Sequence, residues 1–296
     1  MRVLITGGTG FAGRHLTALC REHGAQVVSV GSGDGDLTDA AAADALVRDA
    51  RPERLFHLAA AASVAESWEQ PRETIEANFG STFNVLDAVR RHAPDARVLV
   101  VGSGEAYGPV PLERQPVRED EPFRPQNPYA VSKAACDELA GFFADAYGLH
   151  VVRTRGFNQA GPGQSDRYVV AAFARQIAEA EAAGRAAVEV LTGDLRPRRD
   201  FSDVRDVVRA YLALLEHAPP GAYNVCSAEA VSIADILAGL ARHTPVQVKQ
   251  RTDPGRLRPV ELMEIRGSHD ALTHATGWRP KIELDRTLAD TLEALR

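Results

Sequence analysis

The sequence predicts an α/β protein: a doubly wound parallel sheet followed by a smaller C-terminal α/β lobe. Three observations lead there. Strand-like and helix-like segments alternate through the first half, the strands are continuously apolar, and a glycine-rich turn joins the first strand to the first helix. Arg2–Ile5 reads as a strand, Phe11–Glu22 as a helix, Gln26–Val30 as a strand, Ala40–Arg48 as a helix and Arg54–His57 as a strand. Glu73–Arg91 reads as a long amphipathic helix, Arg97–Gly102 as a buried strand, Ser132–Tyr147 as a helix and His150–Thr154 as a strand. Right-handed crossovers between such strands cover both faces with helices.

After about Phe157 the rhythm breaks. A Gly/Pro turn (Ala160-Gly161-Pro162-Gly163) leads to a helix near Val170–Ala183 and a strand at Val188–Leu191, then an Arg/Pro loop at Arg196–Arg199. A helix (Val204–Glu216), a strand (Tyr223–Cys226) and a helix (Ile233–Arg242) follow, and short strands lead to a terminal helix, Leu284–Leu295. The chain thus divides into residues 1–157 with about 199–227 as a first domain, and 158–198 with 228–296 as a second lobe.

Composition narrows the function. The 296 residues are 45% hydrophobic and 25% charged, as in ordinary globular proteins, which argues against disorder. A net charge of −6 argues against a nucleic-acid binder held by phosphate contacts. The apolar run Leu55–Ala65 is interrupted by His57 and Ser63, and falls short of the roughly 18 residues of a membrane span. Cys20, Cys136 and Cys226 are far apart and not in metal spacing, so free thiols in a cytoplasmic protein, and no metal, are expected. Among 34 basic residues only Lys133, Lys249 and Lys281 are lysines, so single arginines carry little signal.

The turn Thr6-Gly7-Gly8-Thr9-Gly10-Phe11-Ala12-Gly13 has glycines three apart. Gly7 permits a tight turn, Gly10 lets backbone N–H groups reach a pyrophosphate, and Gly13 lets helix pack on strand. The helix N-terminus brings partial positive charge to the same point. A bound dinucleotide is the reading. The carboxylate expected after strand two to hold the adenosine ribose is missing, since Val30 is followed by Gly31-Ser32-Gly33-Asp34. Arg14 is a candidate for a 2′-phosphate and Asp34 a counter-signal, so NAD and NADP both stay open.

Tyr129 and Lys133 are one helical turn apart, on one face. An ammonium beside a buried phenol eases its ionisation, and such a phenol can exchange a proton with a carbinol oxygen. Ser103 ends the fourth strand, at the sheet edge where ligands sit. Its hydroxyl can polarise the reacting oxygen. His57 reads as a structural strand-end residue, Trp68 and Trp278 as packing, and Arg196 and Arg198 as solvated charges.

Taken together, the glycine turn, the strand-end serine and the Tyr/Lys pair resemble an extended short-chain dehydrogenase/reductase, a Rossmann-type family, acting on nucleotide sugars. Within that group the chain is most similar to GDP-4-keto-6-deoxy-D-mannose reductases, through Val100–Gly108, Asn127–Lys133, Arg153–Gln164, Arg199–Tyr211, Tyr223–Ser227 and Arg256–Leu262. The resemblance implies catalytic roles for Ser103, Tyr129 and Lys133. It puts dinucleotide contacts on Gly7, Gly10, Phe11, Ala12, Gly13, Asp36, Leu37, Ala59 and Asn78. Asn158, Arg199 and Arg258 would hold the substrate pyrophosphate, with Glu261 near the ribose or base. Gln159-Ala160 stands where the family has His-Thr, and Val260 where it has Ser.

Glu105 is the residue on which the reaction type turns. In related 4,6-dehydratases a Glu here removes a proton from C5, often beside an Asp acid at the preceding position. This chain has Gly104 there, although GDP-mannose dehydratases act without that Asp. The reading is therefore NAD(P)H-dependent reduction of the C4 ketone of a nucleotide-linked 4-keto-6-deoxyhexose, GDP- or dTDP-linked. A dehydratase or 4-epimerase with tightly bound NAD is the alternative, and a nucleotide sensor without catalysis is less favoured because the Tyr/Lys pair is retained. The resemblance also implies a homodimer, formed by Glu73–Arg91 and Ser132–Tyr147 as half of a four-helix interface.

Overall fold

The computed structural model describes residues 1–256 and 263–296. Its first half runs β1 (Arg2–Thr6), α1 (Phe11–Glu22), β2 (Gln26–Val30), α2 (Ala40–Ala50), β3 (Arg54–His57), α3 (Val64–Glu69), α4 (Pro71–His92), β4 (Arg97–Ser103), α5 (Pro128–Tyr147) and β5 (His150–Gly156). The second half runs β6 (Asn158–Ala160), α6 (Val169–Ala182), β7 (Ala187–Thr192), β8 (Arg198–Asp203), α7 (Val204–His217) and β9 (Gly221–Val225). It continues with β10 (Ala230–Ser232), α8 (Ile233–Ala241), β11 (Gln247–Thr252), β12 (Glu264–Ile265), α9 (Asp270–Thr276) and α10 (Leu284–Glu293).

Six strands form one parallel sheet in the order β2-β1-β3-β4-β5-β9. Side chains alternate between its faces. Val3, Ile5, Phe56, Leu99 and Val152 meet Leu16 of α1, Leu212 and Leu215 of α7, and Leu272 of α9. Leu4, Leu55, Val98, Val100 and Val151 meet Val47 of α2, Val85, Leu86 and Val89 of α4, and Phe143 of α5. Each such side chain contributes about 1.5–3 kcal/mol by leaving water. The chain leaves β1 for β2 on one side and returns to β3 on the other. A crevice therefore opens at the carboxyl ends of β1 and β3.

The second lobe has its own core, from Phe173 and Ile177 of α6, Val190 of β7, Phe201 of β8, Ile236 and Leu240 of α8, and Leu288 and Leu292 of α10. β8 pairs with β6, β10 and β12, and β7 with β11. The segment read as an Arg/Pro loop thus ends in a strand. β8 is polar (Arg-Arg-Asp-Phe-Ser-Asp) yet mostly buried, so apolar patterning does not reveal it. α9, assigned from sequence to the second lobe, instead places Leu272 in the first core, where Trp278 joins it. Trp68, read as packing, is more than half exposed.

Helix α5 starts four residues earlier than its apolar pattern suggests. Asn127 accepts from the Ala130 amide at 2.8 Å, and Pro128 occupies the first turn, where it needs no hydrogen bond. Further along, Asp137 accepts from Arg153 Nη1 at 3.1 Å and from Arg155 Nε and Nη2 at 3.0 and 3.1 Å. Arg155 Nη1 also donates to Tyr107 Oη at 3.0 Å, which in turn donates to Asn224 Oδ1 at 2.7 Å. One buried network joins α5, β5, β9 and the 107–119 loop.

His57 is buried with Nδ1 2.8 Å from Thr6 Oγ1 and Nε2 3.2 Å from Thr82 Oγ1, consistent with a structural role. Burial, aided by the Lys133 charge, lowers its pKa to about 3. Asp200 accepts from Ser227 N and Oγ, Ala228 N and Gly267 N, and burial raises its pKa to about 6. All three cysteines are free and buried, and burial raises each thiol. No described helix is long and apolar enough to cross a membrane.

Two predictions concern stability. Asp137→Ala leaves buried guanidinium groups without their anion, and is expected to cost about 3–5 kcal/mol in denaturant unfolding. His57 takes up a proton only on unfolding, so its contribution is lost as pH falls from about 6.5 towards 3, at up to about 1.4 kcal/mol per unit. Asp200 acts oppositely: its folded form holds a proton between about 3.8 and 6, so its contribution is lost as pH rises through that window. His57→Gln should therefore lose less stability than the parent between pH 6.5 and 4; an unchanged slope would exclude this account.

Candidate active site

The crevice is a cleft of about 1150 Å3 between the sheet's carboxyl edge and the second lobe. Its floor is the glycine turn. Gly7 has φ +70°, and a Cβ there would lie 2.6 Å from the Ala59 amide nitrogen. A Cβ on Gly13 would lie 2.2 Å from the Gly7 carbonyl oxygen. Only glycine lets α1, β1 and the segment after β3 approach this closely. Gly10 caps α1 without a side-chain hydrogen bond, and the first turn carries no acid. The helix thus offers unpaired amides and positive partial charge to an anion. These residues fit a dinucleotide pyrophosphate.

Gly7, Gly10, Phe11, Ala12, Gly13, Asp36, Leu37 and Ala59 all line this cleft. Asp36 accepts from Thr38 N and Oγ1, at 2.9 and 2.8 Å, and these bonds hold its carboxyl below the usual range. Asn78 is not on the wall. It is 1% exposed, and its amide accepts from Ala61 N at 2.7 Å while donating to Ala61 O and to Ser132 Oγ. It braces the segment after Ala59 against α5.

Two further side chains bond to loop backbone. Arg14, the candidate for a 2′-phosphate, donates Nη1 to Thr9 O and Nη2 to Gly163 O, both at 2.9 Å. The Asp34 carboxylate turns back to accept from Gly31 N at 2.7 Å. Both side chains are occupied in holding loops.

Ser103, Glu105, Tyr129 and Lys133 meet on one wall. β4 delivers Ser103 at its last residue, the 3-10 turn Gly104–Tyr107 delivers Glu105, and the first turns of α5 deliver Tyr129 and Lys133. Ser103 Oγ accepts from the Glu105 amide at 3.2 Å, and Ser103 and Tyr129 line the cleft together. The Asn127 amide donates to Glu105 Oε2 at 3.4 Å, so the capping residue of α5 touches this carboxylate too.

Burial dominates the electrostatics of this wall. Tyr129 is 9% exposed, and burial pushes its pKa above the ordinary value; the nearby Ser103 hydroxyl pulls the other way, and the Glu105 charge adds to the rise. Lys133 is 6% exposed, its pKa lowered by burial, with Nζ donating to Val101 O at 2.6 Å. Tyr129 is thus a protonated phenol at neutral pH, suited to give a proton.

On the opposite wall, Asn158 extends from β6 and Arg199, 6% exposed, from β8. Arg199 Nη1 donates to Arg198 O at 3.0 Å, which leaves its position on the cleft wall fixed. Arg258 and Glu261 lie outside the described residues. Arg196, paired with Asp194, and Arg198, paired with Glu264, are exposed as read from sequence. Sequence reasoning missed Phe157, Gln164, Arg167 and Tyr168, which also line the cleft. A Cβ on Gly104 would lie 3.2 Å from the Phe157 ring, so that ring occupies the space a side chain at 104 would need.

Comparison with known proteins agrees with this geometry. Residues 3–226 match the NAD dependent epimerase/dehydratase family. The chain is 37% identical over 289 residues to GDP-6-deoxy-D-mannose reductase of Pseudomonas aeruginosa, spanning 97% of this chain and 94% of that protein. The structure of RMD from Pseudomonas aeruginosa complexed with NADPH matches with a TM-score of 0.91 at 34% identity, over 100% of this chain and 99% of that one. Thermus thermophilus UDP-glucose 4-epimerase in complex with NAD matches with a TM-score of 0.87 at 30% identity, over 100% and 99%. With the glycine cradle, the Ser/Tyr/Lys wall and matches over nearly its full length, the chain belongs to the NAD dependent epimerase/dehydratase family.

Proposed function

We propose that the protein reduces the C4 ketone of a GDP-linked 4-keto-6-deoxyhexose with a reduced nicotinamide dinucleotide. The observation that carries this reading is that Ser103, the buried Tyr129 and Lys133 line one cleft with the glycine cradle. Similarity to GDP-6-deoxy-D-mannose reductase supports the substrate class.

A bound nicotinamide supplies the hydride. Ser103 donates to the substrate O4 and polarises the ketone, Tyr129 gives its phenolic proton to the same oxygen, and Lys133 orients the ribose and restores that proton. Asn158 and Arg199 hold the substrate pyrophosphate from the opposite wall, Arg199 through charge-assisted contacts. The occupied Arg14 and Asp34 leave neither a cation committed to a 2′-phosphate nor a carboxylate turned against one. NADH and NADPH should therefore both serve.

The exposed apolar side chains of the paired helices support a homodimer. Ile75, Phe79 and Phe83 stand one turn apart on α4, and Val131, Phe142 and Tyr147 are exposed on the adjacent α5. A second copy laid across them would complete a four-helix interface. The cytoplasm is the compartment that suits the three free thiols.

Tyr129→Phe should lower kcat by about 10²–10⁴-fold while leaving NADPH affinity close to that of the parent. Parent protein that fails to consume NADPH with a GDP-4-keto-6-deoxyhexose, or that turns over without added nicotinamide, would contradict the reductase reading. Phe83→Glu combined with Phe142→Glu should reduce the mass in light scattering from twice 31.9 kDa to that of one chain.

A further inference from the structure

We propose that residues 161–168 form a strap over the dinucleotide cleft, and that the Glu66–Arg167 ion pair is the clasp that slows dinucleotide release. The inference rests on the reading of the cleft as a dinucleotide site.

The near end of the strap is pinned. Gly161, at φ +150°, lies so close to α7 that a Cβ would sit 2.7 Å from Val204 Cγ1, and Gly163 turns the chain at φ +84°. Arg14 donates to both Gly163 O and Thr9 O, which ties the strap to the glycine turn itself. His15 Nε2 donates to Pro162 O at 2.9 Å, and Gln164 Nε2 donates to Gln159 O at 2.7 Å.

The far end is held differently. Ser165, Arg167 and Tyr168 face the cleft on one side and solvent on the other. Arg167 Nη1 donates to Glu66 Oε1 on α3, whose capping residue Ser63 lines the opposite wall. The neighbouring Asp166 pairs with Arg175 of α6, within its own lobe, at 2.9 Å. The Glu66–Arg167 pair therefore spans the two lobes across the mouth. The two side chains are 52% and 66% exposed, so water and salt weaken the pair. Such a contact retards opening without preventing it, as suits a protein that must exchange its dinucleotide every turnover.

The test is the rate of NADPH release, followed by stopped-flow fluorescence in the parent, Glu66→Gln, Arg167→Gln and the double variant. Each single change should raise the rate about two- to fivefold, and the double should be no faster than either single. Salt should speed release from the parent and leave the variants unmoved. Unchanged rates would overturn the clasp. So would an effect of Arg167→Gln without one of Glu66→Gln, which would mark Arg167 as a direct phosphate contact. A parent that binds NADPH but releases it insensitively to these changes refutes the clasp alone; a parent that binds no NADPH refutes the dinucleotide reading with it.

Discussion

Helix α5 depends on one buried carboxylate, and most of the site depends on α5. Asp137 lies one turn beyond Lys133 and accepts from Arg153 and Arg155 of β5. Arg155 also stacks over the Phe123 ring, 4.4 Å from its centroid, which adds a cation–π contact. A charge pair this deep is held by its hydrogen bonds, because its desolvation cost is large and must be offset by full partnering. The result is a helix whose rotation about its own axis is restricted. Its inner face carries Tyr129 and Lys133 to the cleft, while its outer face offers Val131 and Phe142 to solvent. The cleft-lining side chains and the exposed apolar ones thus share one rigid element.

Around that element, the two walls of the cleft have different chemistry. The sheet side presents backbone amides, small residues and a phenol, with formal charge among the described residues confined to Asp36, Glu105 and the withdrawn Lys133. The lobe side presents Asn158 and Arg199 from polar strands. This asymmetry suits a ligand pair in which one anionic group lies on a helix end and another meets a guanidinium. It also explains how β8 can bury Arg199, Asp200 and Asp203 together: each is partnered, Asp200 by four donors and Asp203 by Arg205 and Thr287.

Much of this was legible in the chain. The glycine spacing, the four-residue step from Tyr129 to Lys133 and the strand-end Ser103 follow from geometry that sequence records directly. The polar strand β8 was not legible, because its burial is supported by specific partners rather than by apolar residues. Nor was Asn78 as a brace: its spacing says nothing about whether Ala61 or a ribose uses its amide. Arg167 was hidden by composition, since in a chain so rich in arginine one more in Ser165-Asp166-Arg167 carries no signal.

The sealed thiols have a practical consequence. Cys20, Cys136 and Cys226 lie in three separate parts of the structure, each buried and each with its thiolate disfavoured by desolvation. Because the thiolate is the reactive form, an alkylating reagent meets essentially no target until the fold opens around a given cysteine. The native chain therefore carries three internal reporters of local opening, and a single surface cysteine added elsewhere could accept a probe against a silent background.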